Sequence, residues 1–178
     1  IRLRDTVVET PQIATQVKPR IFLVRGANML KAAAEQKERV SLIRVRLNNS
    51  LALEAECGLE EFLKLKSYLA KTIYQVIGNS GVYCAIGHDQ FLVLIGHAFQ
   101  KRALTLIPAI FRRLITEDDG FEELNAGKIA KSNAILDRLI VQVAVFPSDG
   151  DTLNDLIDIS RVRIAEIDEE SRTYAPQK

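Results

Sequence analysis

Between Leu59 and Ile77 the apolar residues Phe62, Leu63, Leu65, Leu69, Ile73 and Val76 fall at three- and four-residue spacings, with Lys64, Lys66 and Lys71 among them. That period predicts an amphipathic helix. Gly78-Asn79-Ser80-Gly81 ends it, because Gly and Asn readily take the positive φ that a turn requires. Upstream, Val40 to Leu47 alternates with a period of two: Ile43, Val45 and Leu47 on one side, Leu42, Arg44 and Arg46 on the other. This is a strand pattern. Leu51, Leu53 and Ala55 alternate in the same way and predict a second strand over Ser50 to Glu56, with a loop as the alternative. Val82 to Ile86 and Gln90 to Ile95 are β-rich runs separated by Gly87-His88-Asp89, which predicts a tight hairpin.

The remaining pattern completes the order. Met29, Leu30 and Ala33 give Asn28 to Glu38 one apolar stripe, and Leu104, Ile107, Ile110, Phe111 and Leu114 predict a helix from Phe99 to Ile115. Pro108 must kink that helix or sit in its first turn. Leu139 to Phe146 is a strand stopped by Pro147-Ser148-Asp149-Gly150, and Thr152 caps a last helix from Leu153 to about Ile167. Its buried face is expected to carry Leu156, Ile159, Val162, Arg163 and Ile167. Residues 1–20 read as a linker or arm from an upstream module, 21–178 as one domain, and the polar stretch 116–137 as an excursion from it. Helices alternating with strands predict an α/β (α+β sandwich) fold: a βαββαβ core whose central, mostly antiparallel sheet is covered by helices.

Composition adds limits. With 178 residues the chain has the length of one domain, and 47% apolar against 26% charged residues is a globular balance. A net charge of +1 gives no support for a nucleic-acid partner. The longest apolar run, Phe91 to Ile95, is too short to span a bilayer. Cys57 and Cys84 have no metal-binding or redox spacing and read as buried thiols of a cytoplasmic protein. His88 and His97, nine residues apart, do not share a helix face as zinc ligands would.

The hairpin carries a resemblance. Gly87-His88-Asp89-Gln90-Phe91, at the tip of a hairpin following a long helix, resembles the Gly-Gly-Asp/Glu-Glu-Phe signature of the GGDEF family, the diguanylate cyclases and their inactive relatives. Gly87, Asp89 and Phe91 match it. The likeness extends over about residues 21 to 167 and implies the family's palm-like fold. In active members Mg²⁺ is held by an acid on the first strand and by the third residue of the loop. The matching strand positions here are Arg44 and Arg46, which leaves Asp89 of these former metal-site positions. A guanidinium has five donors and no free lone pair, so it is no metal ligand.

Other departures follow the same direction. His88 replaces the second glycine, Gln90 replaces an acid, and the Asn and Asp that recognise guanine in the family find no match in Asn48-Asn49-Ser50. The inhibitory Arg-x-x-Asp is replaced by Gly78-Asn79-Ser80-Gly81. The resemblance therefore implies a catalytically inactive domain, no enzyme and without cofactor or metal. Its expected role is interaction, scaffolding or dimerisation in a bacterial cyclic di-GMP-related signalling protein, which as a whole is cytoplasmic or membrane-associated. The partner is then a protein or a second copy. The alternative is a receptor for cyclic di-GMP or GTP, with Arg46, Arg112 and Arg113 as phosphate contacts, because Arg binds phosphate bidentately. Arg44 and Asp89 are expected to stand within salt-bridge reach of one another.

Overall fold

Strand β1, Val40–Leu47, lies at the centre of the sheet, with seven of its eight residues buried. It pairs antiparallel with β3, Gln90–Gly96, on one side and with β4, Leu139–Phe146, on the other. Strand β2, Gly81–Ile86, pairs with β3 across the predicted hairpin, giving the order β2-β3-β1-β4. Gly87 takes a φ of 60° in the hairpin turn, a conformation that suits glycine. This computed structural model describes residues 16–117 and 135–162, with the backbone of two short paired strands, β5 at Ala165–Ile167 and β6 at Tyr174–Pro176.

The side-chain period of a strand assigns each face its helices. Ile43, Val45 and Leu47, with Phe91, Val93, Ile95, Val141 and Val143, meet α3, Leu59–Ile77, and α4, Gln100–Thr116. On the other face Val40, Leu42, Leu92, Leu94, Ala144 and Phe146 meet α1, Pro19–Gln36, and α5, Leu153–Ser160. Helices α1 and α5 approach closely at Gly26, where an added Cβ would stand 2.6 Å from Leu153 Cδ2. A methyl there requires the Leu153 side chain to shift.

Three expectations are corrected, and of the two alternatives for Pro108 the place in the first turn is excluded. Ser50–Cys57 is a helix, α2, not a strand: Asn49 turns the chain with a φ of 55°, and Leu53 is its one buried residue while Leu51 is 76% exposed. Ala, Leu and Glu favour helix, so the alternation here was incidental. Helix α1 starts at Pro19, inside the supposed arm, because proline's fixed φ suits a first helical position. Its inward stripe is Phe22, Gly26, Leu30 and Ala33, and the preceding Val17 N–H donates to Tyr83 O at 2.9 Å. Pro108 lies in the middle of α4, buried. Thr152 does cap α5 in a reciprocal box with Asp155, but the helix stops at Ser160, and Val162 is 78% exposed instead of buried. The excursion at 116–137 falls mostly outside the described residues, as do residues 1–15 of the arm and the side chains of Arg163 and Ile167.

No helix among the described residues is long and apolar enough to cross a membrane. Cys84 lies in the core, 1% exposed, and burial pushes its thiol up to about 11. At pH 8 only about one molecule in a thousand then carries the reactive thiolate. Alkylation at that pH is expected to modify Cys84 only after denaturant is added, as read by mass spectrometry. The folded chain holds this proton more tightly than the unfolded one, whose thiol titrates at 9.0, so its contribution to stability is complete below pH 9 and is lost as pH rises through 11.

Candidate functional site

The hairpin tip and the ends of β1, α2 and α3 form one polar region. His88 Nε2 lies 2.8 Å from Glu54 Oε1 on α2, and its ring stacks on Phe62 of α3 with centroids 4.8 Å apart and planes 20° from parallel. The bulky residue at the second signature position thus pins the tip to both helices. Asp89 accepts a bond from Leu47 N–H at its backbone carbonyl, 3.4 Å away.

The expected Arg44–Asp89 pair does not form. Arg44 is 4% exposed and its guanidinium is spent elsewhere: Nη1 donates to Gln90 Oε1 at 2.7 Å, Nε to Ser160 Oγ at 3.2 Å and Nη2 to Ile157 O at 3.2 Å. The parity of β1 directs Arg44 and Arg46 to the α1/α5 face, and Arg44 reaches the C-terminal end of α5, where unpaired carbonyls attract a cation. Gln90 serves as a neutral acceptor for that cation. Arg46 donates to Gln142 Oε1 at 3.3 Å and to Asn48 Oδ1 at 3.4 Å.

Other residues named from the sequence are dispersed. Arg112 and Arg113 belong to α4, in the helix layer across the sheet from Arg46, and Arg113 donates to Gln75 at 3.4 Å. His88 and His97 stand at opposite ends of β3, a strand about 23 Å long. His97 Nδ1 is 2.9 Å from Ser41 Oγ, and that hydroxyl donates to Gln100 Oε1 at 2.6 Å. With the Ser41 hydroxyl directed at Gln100, the contact with His97 has Nδ1–H donating to Ser41 Oγ, the reverse of the order a nucleophile and its base require. Burial, then the charge of Arg39, hold the His97 imidazole below its ordinary range.

Glu61 went unnoticed in the sequence, where it is one acid in a charged helix start. It is 4% exposed, and among the described residues neither carboxylate oxygen has a hydrogen-bond partner. Its ion pair with the Lys64 ammonium is long at 3.6 Å. Of the three acids that act on Cys57, Glu54 holds His88 and Glu56 holds Arg138 at 2.8 and 3.0 Å. Glu61 alone of these lacks a hydrogen bond. The thiol of Cys57 is raised by burial first and then by these three carboxylates.

A magnesium ion between β1 and the hairpin does not fit these residues. Guanidiniums stand at both matched strand positions, and no group of three or more metal-ligating side chains occurs among the described residues.

No family model and no curated protein matches the sequence. Solved structures do match its fold. The active GGEEF domain of a diguanylate cyclase from Vibrio cholerae is 16% identical over 81% of this chain and 85% of its own, with a TM-score of 0.62. The GGDEF domain of TpbB (YfiN) from Pseudomonas aeruginosa is 16% identical over 83% and 80%, also at 0.62. The GGDEF domain of DgcB from Caulobacter crescentus, in complex with c-di-GMP, is 11% identical over 90% and 89%, at 0.57. The chain has the GGDEF-domain fold. The expectation that it is no enzyme is corrected by the same finding, since an active cyclase domain is among the structures it matches.

Proposed function

We propose that this chain is a cyclic di-GMP signalling domain that binds guanine nucleotides where the hairpin tip meets helices α2 and α3. The carrying observation is the buried Glu61 carboxylate with both oxygens free of hydrogen bonds. Burying an acceptor without donors costs free energy, and a ligand bringing two adjacent donors offsets that cost. Guanine presents N1–H and N2–H side by side on its pairing edge, matched to the two oxygens of a carboxylate, whereas adenine presents one donor beside an acceptor. Phe62, next in the chain, offers a ring already stacked on a flat heterocycle, the His88 imidazole. A purine takes over that face when His88 swings out. The complex of a matched domain with c-di-GMP supports the ligand class.

Calorimetric titration with GTP plus Mg²⁺, cyclic di-GMP and ATP tests this reading, with product analysis on the same samples to register turnover. Heat is expected for the guanine ligands and not for ATP. Glu61→Gln should weaken binding roughly ten- to a hundredfold, as loss of a charged acceptor does, and His88→Gly should strengthen it. Equal binding of GTP by wild type and Glu61→Gln overturns the assignment. A second role, self-association or docking of a partner protein, is favoured by Leu51, Leu59 and Leu63, which are 76%, 56% and 49% exposed on α2 and α3. Light scattering on the same samples reads it.

A further inference from the structure

Between Gln16 and Ala34 the chain holds four cations, Lys18, Arg20, Arg25 and Lys31, and no acid. Helix α1 buries Phe22, Gly26, Leu30 and Ala33 against the sheet, so its opposite side faces solvent. That side is not uniformly polar. Ile21, Leu23 and Val24, in its first two turns, are 41%, 44% and 57% exposed, and the exposed Lys18, Arg20 and Arg25 flank them. A single exposed aliphatic side chain is ordinary, but three within four residues, set among cations, form a patch.

The acids of this layer lie elsewhere. The start of α1 is held at the β2 edge of the sheet, where Val17 N–H bonds to Tyr83 O. Neither β2 nor the turn before it, Gly78 to Gly81, contains a charged residue. Asp149, Asp151, Asp155 and Asp158 lie in α5 or just before it, and α5 packs on β4, the opposite edge. Glu35 and Glu38 stand at the far end of α1.

We infer that the first two turns of α1 form a docking surface for an anionic lipid bilayer. A helix lying flat in a membrane interface combines aliphatic side chains that enter the headgroup boundary with Lys and Arg that meet anionic lipids. Helix α1 is already folded against the sheet, so docking carries no cost of ordering it. Cations spread around a few aliphatic side chains suit a fluid surface, whose lipids rearrange to meet each charge, whereas a protein partner would have to supply acids at fixed positions. The surface lies in the helix layer opposite α3 and is independent of guanine binding at Glu61.

Sedimentation of the full chain with vesicles of phosphatidylcholine, alone or with about 30% phosphatidylserine, tests this. The chain is expected to pellet with the anionic vesicles and not with the neutral ones at about 0.1 M salt, and to be released at about 0.5 M, where screening is short-ranged. Arg20→Glu and Val24→Asp should each weaken binding about tenfold. Lys101→Glu, on α4 across the sheet, changes the net charge as Arg20→Glu does and should leave binding unchanged. All three side chains are exposed, and melting temperatures report that the variants remain folded. Failure to pellet with anionic vesicles, equal pelleting with both kinds, or equal weakening by Lys101→Glu and Arg20→Glu overturns the proposal. Binding to polyglutamate with none to anionic vesicles also overturns it and assigns the patch to an acidic protein.

Discussion

Glu61→Met is expected to make the unliganded protein more stable and to abolish its guanine-nucleotide binding. Three effects compete at this position. Burial of a carboxylate with no hydrogen bonds costs several kcal/mol. Against this, Glu61 lies in the first turn of α3, where the helix dipole contributes about 0.3–1 kcal/mol, and Lys64 adds a weak pair at 3.6 Å. The desolvation cost exceeds the sum of the other two. Methionine keeps the length of the side chain and removes the buried charge. A gain of about 1–2 kcal/mol is expected in urea unfolding, with the denaturant slope unchanged. An improvement in stability coupled to loss of GTP heat would mark Glu61 as a residue kept for ligand. A destabilised variant would mean that the carboxylate serves the fold, and the guanine assignment would lose its basis.

The largest loss of stability is expected from Phe62→Ala. Phe62 is fully buried in the cluster that holds Leu65, Leu69, Tyr83 and Phe91, so truncation removes its transfer free energy and leaves a cavity beneath α3. Such changes cost about 3–5 kcal/mol, a large part of the roughly 5–15 kcal/mol that holds a domain of this kind together. The same ring supports His88, so the hairpin tip loses its stacking partner and keeps only the bond to Glu54. Phe62→Leu separates the two roles: it retains most of the volume and removes the stacked face. It is expected to cost under about 1.5 kcal/mol in stability while raising hydrogen exchange at Gly87 to Asp89. Unchanged exchange in Phe62→Leu would show that Glu54 alone holds the tip.

Periodic segments with one clear apolar face were legible because burial follows the backbone period wherever a single face must be covered. That describes α3, the hairpin and β4, and Thr152 as a cap was legible from local chemistry alone. Short segments were not. Eight residues at Ser50–Cys57 contain too few turns for period two and period 3.6 to diverge, and the left-handed Asn49 that starts the helix carries no pattern. The end of α5 was equally hidden, because what stops it is Ser160, tied to Ile157 O at 2.7 Å and to a strand 116 residues earlier in the chain.

The order of elements, the two-faced sheet and the identity of the signature loop are properties of local sequence, since hydrophobic period and turn chemistry operate within a few residues. The partners of the charged residues were decided in three dimensions. Arg44 and Asp89 look like a pair when read as substitutions in one metal site, yet the pleat sends Arg44 to the end of α5, where Gln90, Ser160 and Ile157 converge on it. Glu61 looks like any solvated helix acid, yet it is 4% exposed once α3 has docked. Burial and charge compensation depend on which distant segments arrive beside a side chain, and that is a property of the assembled layers.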